Sequence, residues 1–372
     1  MRKHFNPSKP IKIKKPWSKK KKIIVIASVV VGVAALAVGG FFVYKTFFAE
    51  QPFEQTAVIP EPVRYYSPLT GIETSEDKTK RPVTAVMIEN SPEARPQSGL
   101  YDAGVVFEAV AEGGITRFIA LYQEADVDPI GPVRSARPYY LEWAAAFDPS
   151  VAHVGGSAQA LQMLSTGSYG LNIDEQPADD VIYRASGRYA PHDAYTSTGE
   201  LLRFEAEKGK TASSFTAWDR IDGKIPEPTT TTNEAGEEII TEPTLVTDIN
   251  VPVSYGQFND SYTFDRDTNR YLRFQGGAAH LDREKGQIAP NTVIAMMVNM
   301  GLMSDGLHNQ ITTIGSGKAY IFQNGGIVEG TWSKASASAQ IKFTDAEGNE
   351  IKLNRGQTWI SAVPNGNVVT WR

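Results

Sequence analysis

Arginines and a hydroxyl side chain lie close together in the segment IGPVRSARPYY, which covers residues 130–140. Arg134 and Arg137 bracket Ser135, and Pro138 directly after them favours the first position of a helix. The unpaired N–H groups of a helix start carry partial positive charge, and guanidinium groups bind carboxylates and phosphates with two parallel hydrogen bonds. The segment therefore predicts a binding site for a carboxylate or a phosphate.

An internal role for these arginines is the alternative. Acids of the same part of the chain, such as Glu108, Glu112 or Asp148, could form ion pairs with both side chains. Glu108 and Glu112 could also act as paired carboxylates on a glycan. Their position on a strand and its turn, with Arg117 close by, favours an ion pair instead.

Two histidines are candidates for chemistry in the first half of the chain. His192 lies in the polar loop RYAPHDAYTS, whereas His153 lies in the apolar stretch VAHVGGS, where histidines are mostly packed and hydrogen-bonded. His192 and Glu112 are the two residues that could act as acid or base. A triad of Ser135, His192 and Asp193 is disfavoured, because adjacent His and Asp side chains rarely meet and no G-x-S-x-G motif is present. The sequence favours a non-catalytic protein.

Metal and cofactor chemistry has little support in the sequence. The chain has no Cys and no H-E-x-x-H motif, and His280-x-Asp282 is a single isolated pair. GSGK at 315–318 lacks the earlier glycine of a phosphate loop, where Thr312 stands instead. We therefore predict neither a metal nor a cofactor.

The distribution of charge argues against nucleic acid as a partner. Residues 1–22 hold ten Lys and Arg and no acid, whereas the rest of the chain holds 27 basic and 42 acidic residues. A nucleic-acid reader would carry its basic surface on the folded domain.

A long uncharged stretch follows a run of lysines near the N-terminus. Ile23–Tyr44 holds 22 residues without a charge after Lys19–Lys22. At about 1.5 Å per residue, a helix of this length spans a ~30 Å hydrocarbon core. Signal-peptide cores are shorter, so an uncleaved anchor is predicted. The lysines favour a cytoplasmic N-terminus, so we expect a single-pass protein of the cell membrane whose chain after about Lys45 is extracellular.

The periodicity of the remaining chain predicts the elements that position these side chains. Residues 103–123 have the pattern of a hairpin around a Glu-Gly-Gly turn. Helices are predicted from Pro138, between Ser157 and Gly167, and over 198–210. Alternating stretches separated by turn signals dominate after residue 246, as in an antiparallel sheet or barrel.

The predicted fold class is an α/β (α+β) N-terminal extracytoplasmic domain followed by a mostly antiparallel β C-terminal domain, preceded by one transmembrane helix. Six segments follow from these patterns: a basic cytoplasmic tail (1–22), a transmembrane anchor (23–44), a tether (45–65), an α/β domain (66–225), a Thr/Glu-rich linker or hairpin insertion (226–245) and a β-rich domain (246–372).

Several motifs together resemble a known family. The stretches EGGITRFIALYQ, IGPVRSARPYY, HVGGSAQAL, APHDAYTST and GSGKAYIFQNGGIVEGTW are similar to the YerB-like family of bacterial envelope lipoproteins, domain of unknown function 3048, over about residues 66–365. The resemblance implies an extracytoplasmic protein with an α/β part and a β-rich part, and no established activity. The polar motif positions that it carries over are Glu112, Arg117, Arg134, Ser135, Arg137, His153, Ser157 and His192. This chain departs from the family in lacking the lipid-anchoring Cys, which the transmembrane helix replaces, and in having Asp193 where Asn usually follows the histidine.

Three hypotheses for function follow. The first is a membrane-anchored envelope protein that binds an anionic ligand, either a cell-wall polymer or an acidic peptide, through Arg117, Arg134 and Arg137, with Ser135, His153, Ser157 and His192 completing the site. The second is a hydrolase of cell-wall polymer with His192 as acid or base. The third is a scaffold that binds another envelope protein, in which case the arginine cluster is structural.

Overall fold

The computed structural model describes residues 16–48 and 62–372, apart from positions 177, 179, 305 and 307. Contacts divide the chain into two units, Met1–Pro62 and Val63–Arg372. The predicted tether (45–65) and basic tail (1–22) lie largely outside the described residues.

The first unit contains one long helix, α1, from Lys19 to Phe47. Ser18 caps its N-terminus, and none of its residues is buried against protein. Its 29 residues and a mean hydropathy of 2.7 make it long and apolar enough to cross a membrane, by length and composition. The predicted span 23–44 lies within this helix.

The second unit has four further α-helices, three 3₁₀ helices and 27 strands in its described residues. The helices are α2 (Glu76–Thr79), α3 (Pro138–Ala144), α4 (Ala158–Ser165), α5 (Thr198–Glu207) and the 3₁₀ turns Pro92–Ala94, Ala145–Phe147 and Gly256–Phe258. The first strands are β1 (Tyr65–Tyr66), β2 (Glu73–Thr74), β3 (Thr84–Glu89), β4 (Val105–Glu112), β5 (Ile115–Tyr122), β6 (Ser150–His153), β7 (Leu171–Asp174), β8 (Tyr183–Arg184), β9 (Ala194–Tyr195), β10 (Arg220–Ile221), β11 (Thr229–Thr232), β12 (Glu238–Thr241) and β13 (Asp248–Val251). The remaining strands are β14 (Asp260–Asp265), β15 (Arg270–Gln275), β16 (Ala278–Ala279), β17 (Leu281–Asp282), β18 (Gly286–Gln287), β19 (Thr292–Val298), β20 (Met300–Leu302), β21 (Asn309–Ile311), β22 (Gly315–Gln323), β23 (Gly326–Lys334), β24 (Lys342–Thr344), β25 (Leu353–Asn354), β26 (Thr358–Pro364) and β27 (Thr370–Trp371).

A mixed ten-stranded sheet forms the centre of this unit, in the order β24-β23-β22-β19-β26-β4-β5-β3-β6-β7. Its middle is the β4–β5 hairpin, whose turn uses the positive φ angles of Gly113 and Gly114. The C-terminal strand β26 pairs in parallel with β4, so strands from both halves of the sequence continue one sheet. A second sheet of five strands has the order β16-β15-β14-β13-β27.

Two apolar cores cover the two faces of the central sheet. Alternate residues of each strand point to opposite faces, so Phe107 packs into one core and its neighbour Val106 into the other. The first core contains the aromatic side chains of α3, including Tyr140 and Trp143. The second core contains side chains of the five-stranded sheet, such as Tyr262. The central sheet is therefore sandwiched between a helical layer and a second sheet.

The predicted fold class is confirmed by this architecture. An N-terminal apolar helix precedes a mixed α/β half, and the pairs β13–β14, β14–β15, β19–β22 and β22–β23 make the C-terminal half mostly antiparallel. The Thr/Glu-rich segment forms the exposed hairpin β11–β12. The domain boundaries stay a prediction, since Val63–Arg372 forms one compact unit with a shared central sheet.

Candidate functional site

Glu112 pairs with two of the arginines that the sequence singles out. Its Oε2 lies 3.2 Å from Arg117 Nη2, and its Oε1 contacts Arg137. Arg117 also donates to the Ser135 carbonyl at 2.8 Å, and Arg137 donates to the Ala136 carbonyl at 2.7 Å. The arginine side chains are 8% and 11% exposed. Both cations are thus held by an acid and carbonyl groups of their own unit, which is the arrangement expected of a structural cluster.

Glu89 connects the third arginine, Arg134, to His192. Glu89 Oε1 lies 3.4 Å from Arg134 Nε, and Oε2 lies 2.9 Å from His192 Nδ1. The Ser91 hydroxyl donates to Oε1 at 3.0 Å. Because a carboxylate on Nδ1 orients the imidazole ring, Nε2 of His192 is directed away from Glu89. Among the described residues, that nitrogen has no hydrogen-bond partner.

His153 and Ser157 have local structural partners. His153 is fully buried, with Nδ1 2.7 Å from the Gly155 carbonyl and Nε2 2.6 Å from Asn172 Oδ1. The Ser157 hydroxyl caps α4 by accepting the Ala160 N–H at 3.3 Å. The structure therefore does not gather the sequence-predicted residues into one site. Their role in ligand binding stays a prediction.

A fully buried charge cluster lies between the two sheets. Arg273 Nη2 lies 2.5 Å from Glu108 Oε2 and 2.6 Å from Asp260 Oδ1, and all three side chains have no exposed surface. The guanidinium also stacks 4.3 Å from the Trp359 ring. Burial raises the pKa of Asp260 well above its usual range, although Arg273 opposes the rise. Glu108 therefore forms its ion pair with Arg273, and it does not form a carboxylate pair with Glu112.

A chain of hydrogen bonds leads from this cluster to the surface. Arg273 Nη1 donates to His280 Nδ1 at 2.6 Å, so Nε2 carries the ring proton and donates to Gln97 Oε1 at 3.0 Å. Gln97 Nε2 donates to Asn90 Oδ1 at 2.9 Å, and that oxygen also accepts from Arg95 Nε at 3.1 Å. Burial and the nearby Arg273 hold the pKa of His280 well below its usual range, which agrees with a neutral ring.

A surface cleft of about 440 Å³ brings together three arginines from distant parts of the chain. We call it the arginine cleft, and its lining residues are Glu93, Arg95, Pro96, Gly187, Arg188, Tyr189, His192 and Arg283. Three guanidinium groups face one carboxylate in this lining, so the cleft is cationic on a chain whose net charge is -5. His192 is the one sequence-predicted site residue that lines it.

Two of the three arginines of the cleft, Arg95 and Arg188, donate to neutral carbonyl groups. Arg188 donates to two backbone carbonyl groups, at 2.7 and 3.2 Å. Arg95 donates to the carbonyl groups of Asn90 and Gln257 at 3.0 and 3.2 Å. Among the described residues, no carboxylate forms an ion pair with Arg95, Arg188 or Arg283. Their charge is therefore available to an external anion.

Three separate turns position these side chains. Arg95 follows the 3₁₀ turn Pro92–Ala94, Arg188 and His192 lie in the loop between β8 and β9, and Arg283 lies in the turn between β17 and β18. The Arg283 N–H donates to the Gln97 carbonyl at 2.7 Å, which ties the C-terminal turn to the segment that carries Arg95.

Two pKa shifts describe the electrostatics of the cleft. Burial lowers the pKa of Arg95, partly opposed by the more distant Glu108. Burial raises the pKa of Tyr195, and the positive charges of Arg188 and Arg283 oppose this rise. Both arginines therefore act on the Tyr195 phenol.

Sequence reasoning did not group Arg95, Arg188 and Arg283, because they lie in three polar loops that are far apart along the chain. The only local signal was the RYAPHDAYTS loop, where Arg188 precedes His192 by four residues. Among the side chains that the structure describes, no group of three His, Asp or Glu could hold a metal ion.

Comparison with known proteins gives a consistent family match. Residues 69–212 match the N-terminal domain and residues 249–360 the C-terminal domain of the protein of unknown function DUF3048. A Bacillus subtilis (strain 168) protein described as "Putative lipoprotein YerB" is 30% identical over 330 residues, which cover 86% of this chain and 92% of that protein. The crystal structure of the YerB protein from Bacillus subtilis superposes with a TM-score of 0.70 at 28% identity, over 83% of this chain and 99% of that chain.

Proposed function

The chain belongs to the DUF3048 family, whose function is unknown, and from this starting point we propose that it is a membrane-anchored extracytoplasmic protein that binds an anionic cell-wall polymer in the arginine cleft. The observation that carries the proposal is the set of three guanidinium groups around one cleft, none of which is paired with a carboxylate among the described residues. A polymer with repeated phosphate or carboxylate groups supplies the missing negative charge.

Anchoring is the role that we assign to α1. Its length and apolar composition suit a bilayer, and Lys19–Lys22 at its start favour a cytoplasmic N-terminus. A cysteine that could carry a lipid is absent from the sequence, so the helix takes the place that a lipid has in a lipoprotein. The ligand then lies outside the cytoplasm, on the side of Val63–Arg372.

The proposed topology can be tested directly, because the chain has no Cys. Single substitutions Ser18→Cys and Tyr66→Cys place a thiol on either side of α1, and both positions are exposed. A membrane-impermeant maleimide should label only Tyr66→Cys on intact cells. If only Ser18→Cys is labelled, the N-terminus lies outside the cell and the proposed orientation is wrong.

Anion binding can be tested with two defined polymers, polyglycerol phosphate and polyglutamate. The full chain in nanodiscs of zwitterionic lipid is titrated with each polymer at several salt concentrations. The double variant Arg188→Gln/Arg283→Gln should weaken binding by roughly tenfold or more, since a hydrogen bond to a charged group contributes about 1.5–3 kcal/mol. The affinity should also fall with added salt.

A charge-matched control tests whether a loss of binding comes from the arginine cleft or only from the change in net charge. Arg203→Gln/Lys208→Gln removes the same two charges from α5 and its end, where Arg203 is paired with exposed acids. This variant should bind within about twofold of the wild type, because exposed ion pairs contribute little. Equal losses in the two variants, or no binding of either polymer at low salt, would reject the arginine cleft as the site.

Hydrolysis of the bound polymer is a second candidate function, favoured by one contact. His192 lines the cleft, and its Nδ1 lies 2.9 Å from the buried Glu89 carboxylate, which is the arrangement of an oriented general base. His192→Gln should then retain polyglycerol phosphate binding and stop chain shortening. If the wild type leaves the polymer length unchanged, the protein is a binding protein only.

A further inference from the structure

An apolar recess adjoins the arginine cleft and shares two residues with it. The recess has a volume of about 220 Å³, and Arg95 and Pro96 line both spaces. Its exposed apolar surface comes from Ala278, Ala279 and Leu281, of which Leu281 is 44% exposed. We call this recess the apolar shelf.

Apart from Arg95, which also lines the arginine cleft, the polar residues that line the apolar shelf are His280 and Gln275, and their donor groups are engaged inside the protein. Both ring nitrogens of His280 have partners, Arg273 and Gln97. The side-chain amide of Gln275 donates to Glu108 and Asp260, at 3.3 and 3.2 Å. These groups therefore offer no donor to a ligand, and hydrocarbon is the chemistry that the shelf accepts most readily.

The positive charge next to the apolar shelf limits the kind of ligand that can bind there. The shelf opens beside three guanidinium groups that form no ion pair with a described carboxylate, so an occupant that fills both spaces is anionic at one end and apolar at the other. We propose that the arginine cleft and the apolar shelf together bind one amphipathic anion, a phosphate joined directly to a short alkyl chain. This inference rests on the proposed anion-binding function of the arginine cleft and adds an apolar contact to it.

The volume of the shelf limits the length of the chain. An apolar cavity of about 150 Å³ holds a benzene ring of six carbons, so a space of about 220 Å³ holds roughly eight carbons. The affinity should therefore rise with chain length up to about that size and then level off. Burial of each methylene should lower Kd by about two- to fourfold, the upper value being that of complete burial.

A series of n-alkyl phosphates tests this inference. Ethyl, butyl, hexyl and octyl phosphate are titrated into the full chain in zwitterionic nanodiscs, and protein-free nanodiscs provide the blank for partitioning into lipid. The wild type should bind hexyl phosphate at least tenfold more tightly than ethyl phosphate. Leu281→Asn should remove most of this gain and leave the Kd for ethyl phosphate unchanged.

A matched control uses a leucine that lies away from both spaces. Leu302 is 64% exposed on β20, and Leu302→Asn should keep the full dependence on chain length. Since both leucines are exposed, neither substitution should unfold the protein, and circular dichroism checks this.

The outcomes separate the two proposals. If ethyl phosphate binds but longer chains bind no more tightly, the apolar shelf is rejected and the anion site stands. If no alkyl phosphate binds while polyglycerol phosphate still binds, the alkyl phosphate proposal is rejected and the proposed function stands. An unchanged chain-length dependence in Leu281→Asn also overturns the shelf.

The same titration identifies the source of the alkyl phosphate. Nanodiscs that contain phosphatidic acid should weaken the apparent affinity for hexyl phosphate if a membrane lipid reaches the site. An unchanged affinity supports the shelf as a site for a free alkyl phosphate.

Discussion

Replacement of Arg273 by Met tests the buried charge cluster most directly. The guanidinium is the only cation in contact with the buried carboxylates of Glu108 and Asp260 among the described residues, at 2.5 and 2.6 Å, and all three side chains are fully buried. Met fills a similar volume without charge. Glu108 would keep only its neutral donors, which include Trp359 Nε1 at 3.1 Å and the Thr116 hydroxyl at 2.9 Å. The substitution therefore leaves buried negative charge without a counter-ion.

The expected loss is large. Removal of one partner of a buried ion pair costs about 3–5 kcal/mol. An unfolding entropy of about 2.1 cal/mol/K per residue gives about 0.65 kcal/mol/K for a unit of the size of Val63–Arg372. The variant should therefore melt roughly 5–8 °C below the wild type. Intrinsic fluorescence reports this transition, because Trp143, Trp332 and Trp359 are buried.

The loss should depend on pH in a defined direction. The folded-state pKa of Asp260 is already raised by burial, and removal of Arg273 raises it further. A carboxyl group with a raised folded-state pKa stabilises the fold below its unfolded pKa, and this stabilisation is lost as pH rises through the folded pKa. The deficit of Arg273→Met should therefore be smaller at pH 5 than at pH 8.

Two further variants complete the test. Arg270 lies on the same strand, is half-buried and donates to the Tyr101 hydroxyl at 3.3 Å without a carboxylate partner among the described residues. Arg270→Met should cost less than about 1 kcal/mol. Arg273→Met/Asp260→Asn should recover part of the loss, because Asn carries no charge. The reasoning is refuted if Arg270→Met and Arg273→Met melt at the same temperature, or if the deficit of Arg273→Met does not change with pH.

Three other substitutions test separate parts of the structure, each by thermal unfolding. Glu112→Gln leaves Arg117 and Arg137 without their carboxylate and should lower the free energy of unfolding by about 1–3 kcal/mol. The control Glu329→Gln, at the exposed pair with Lys318, should lower it by less than about 1 kcal/mol. Equal losses in the two variants would contradict a structural role for Glu112. Burial raises the pKa of Glu205, whose Oε1 accepts from Thr84 at 2.7 Å, so its contribution to stability falls as pH rises through the folded pKa. Glu205→Gln should reduce the drop in Tm between pH 5 and pH 8, and a parallel drop would contradict this. Gly170 has a φ of 120°, and an added Cβ would lie 2.4 Å from the Pro149 carbonyl oxygen, so Gly170→Ala should cost about 2 kcal/mol or more. Gly199→Ala on α5 should cost less, because its Cβ would meet only the Ser197 hydroxyl oxygen, at 3.7 Å.

Local sequence patterns predicted several helices and strands of this protein correctly. The β4–β5 hairpin, the start of α3 at Pro138 and the Ser157 cap of α4 each depend on residues within a few positions of one another. The apolar helix α1 follows from uninterrupted hydropathy. These features are readable from sequence because their hydrogen bonds and side-chain preferences are local.

Tertiary structure alone decided which charges are available to a ligand. The order of residues indicated an ion pair near Arg117 and left Glu108, Glu112 and Asp148 open as partners of the other arginines, and only the structure selected Glu112. Nothing in that order indicates that Glu108 lies beside an arginine 165 positions later in the chain. The arginine cleft likewise depends on three turns that meet because strands of both halves fold into one unit. Sequence determined where cations occur along the chain, whereas long-range packing determined their partners, because an ion pair depends on distance in space and is independent of separation along the chain.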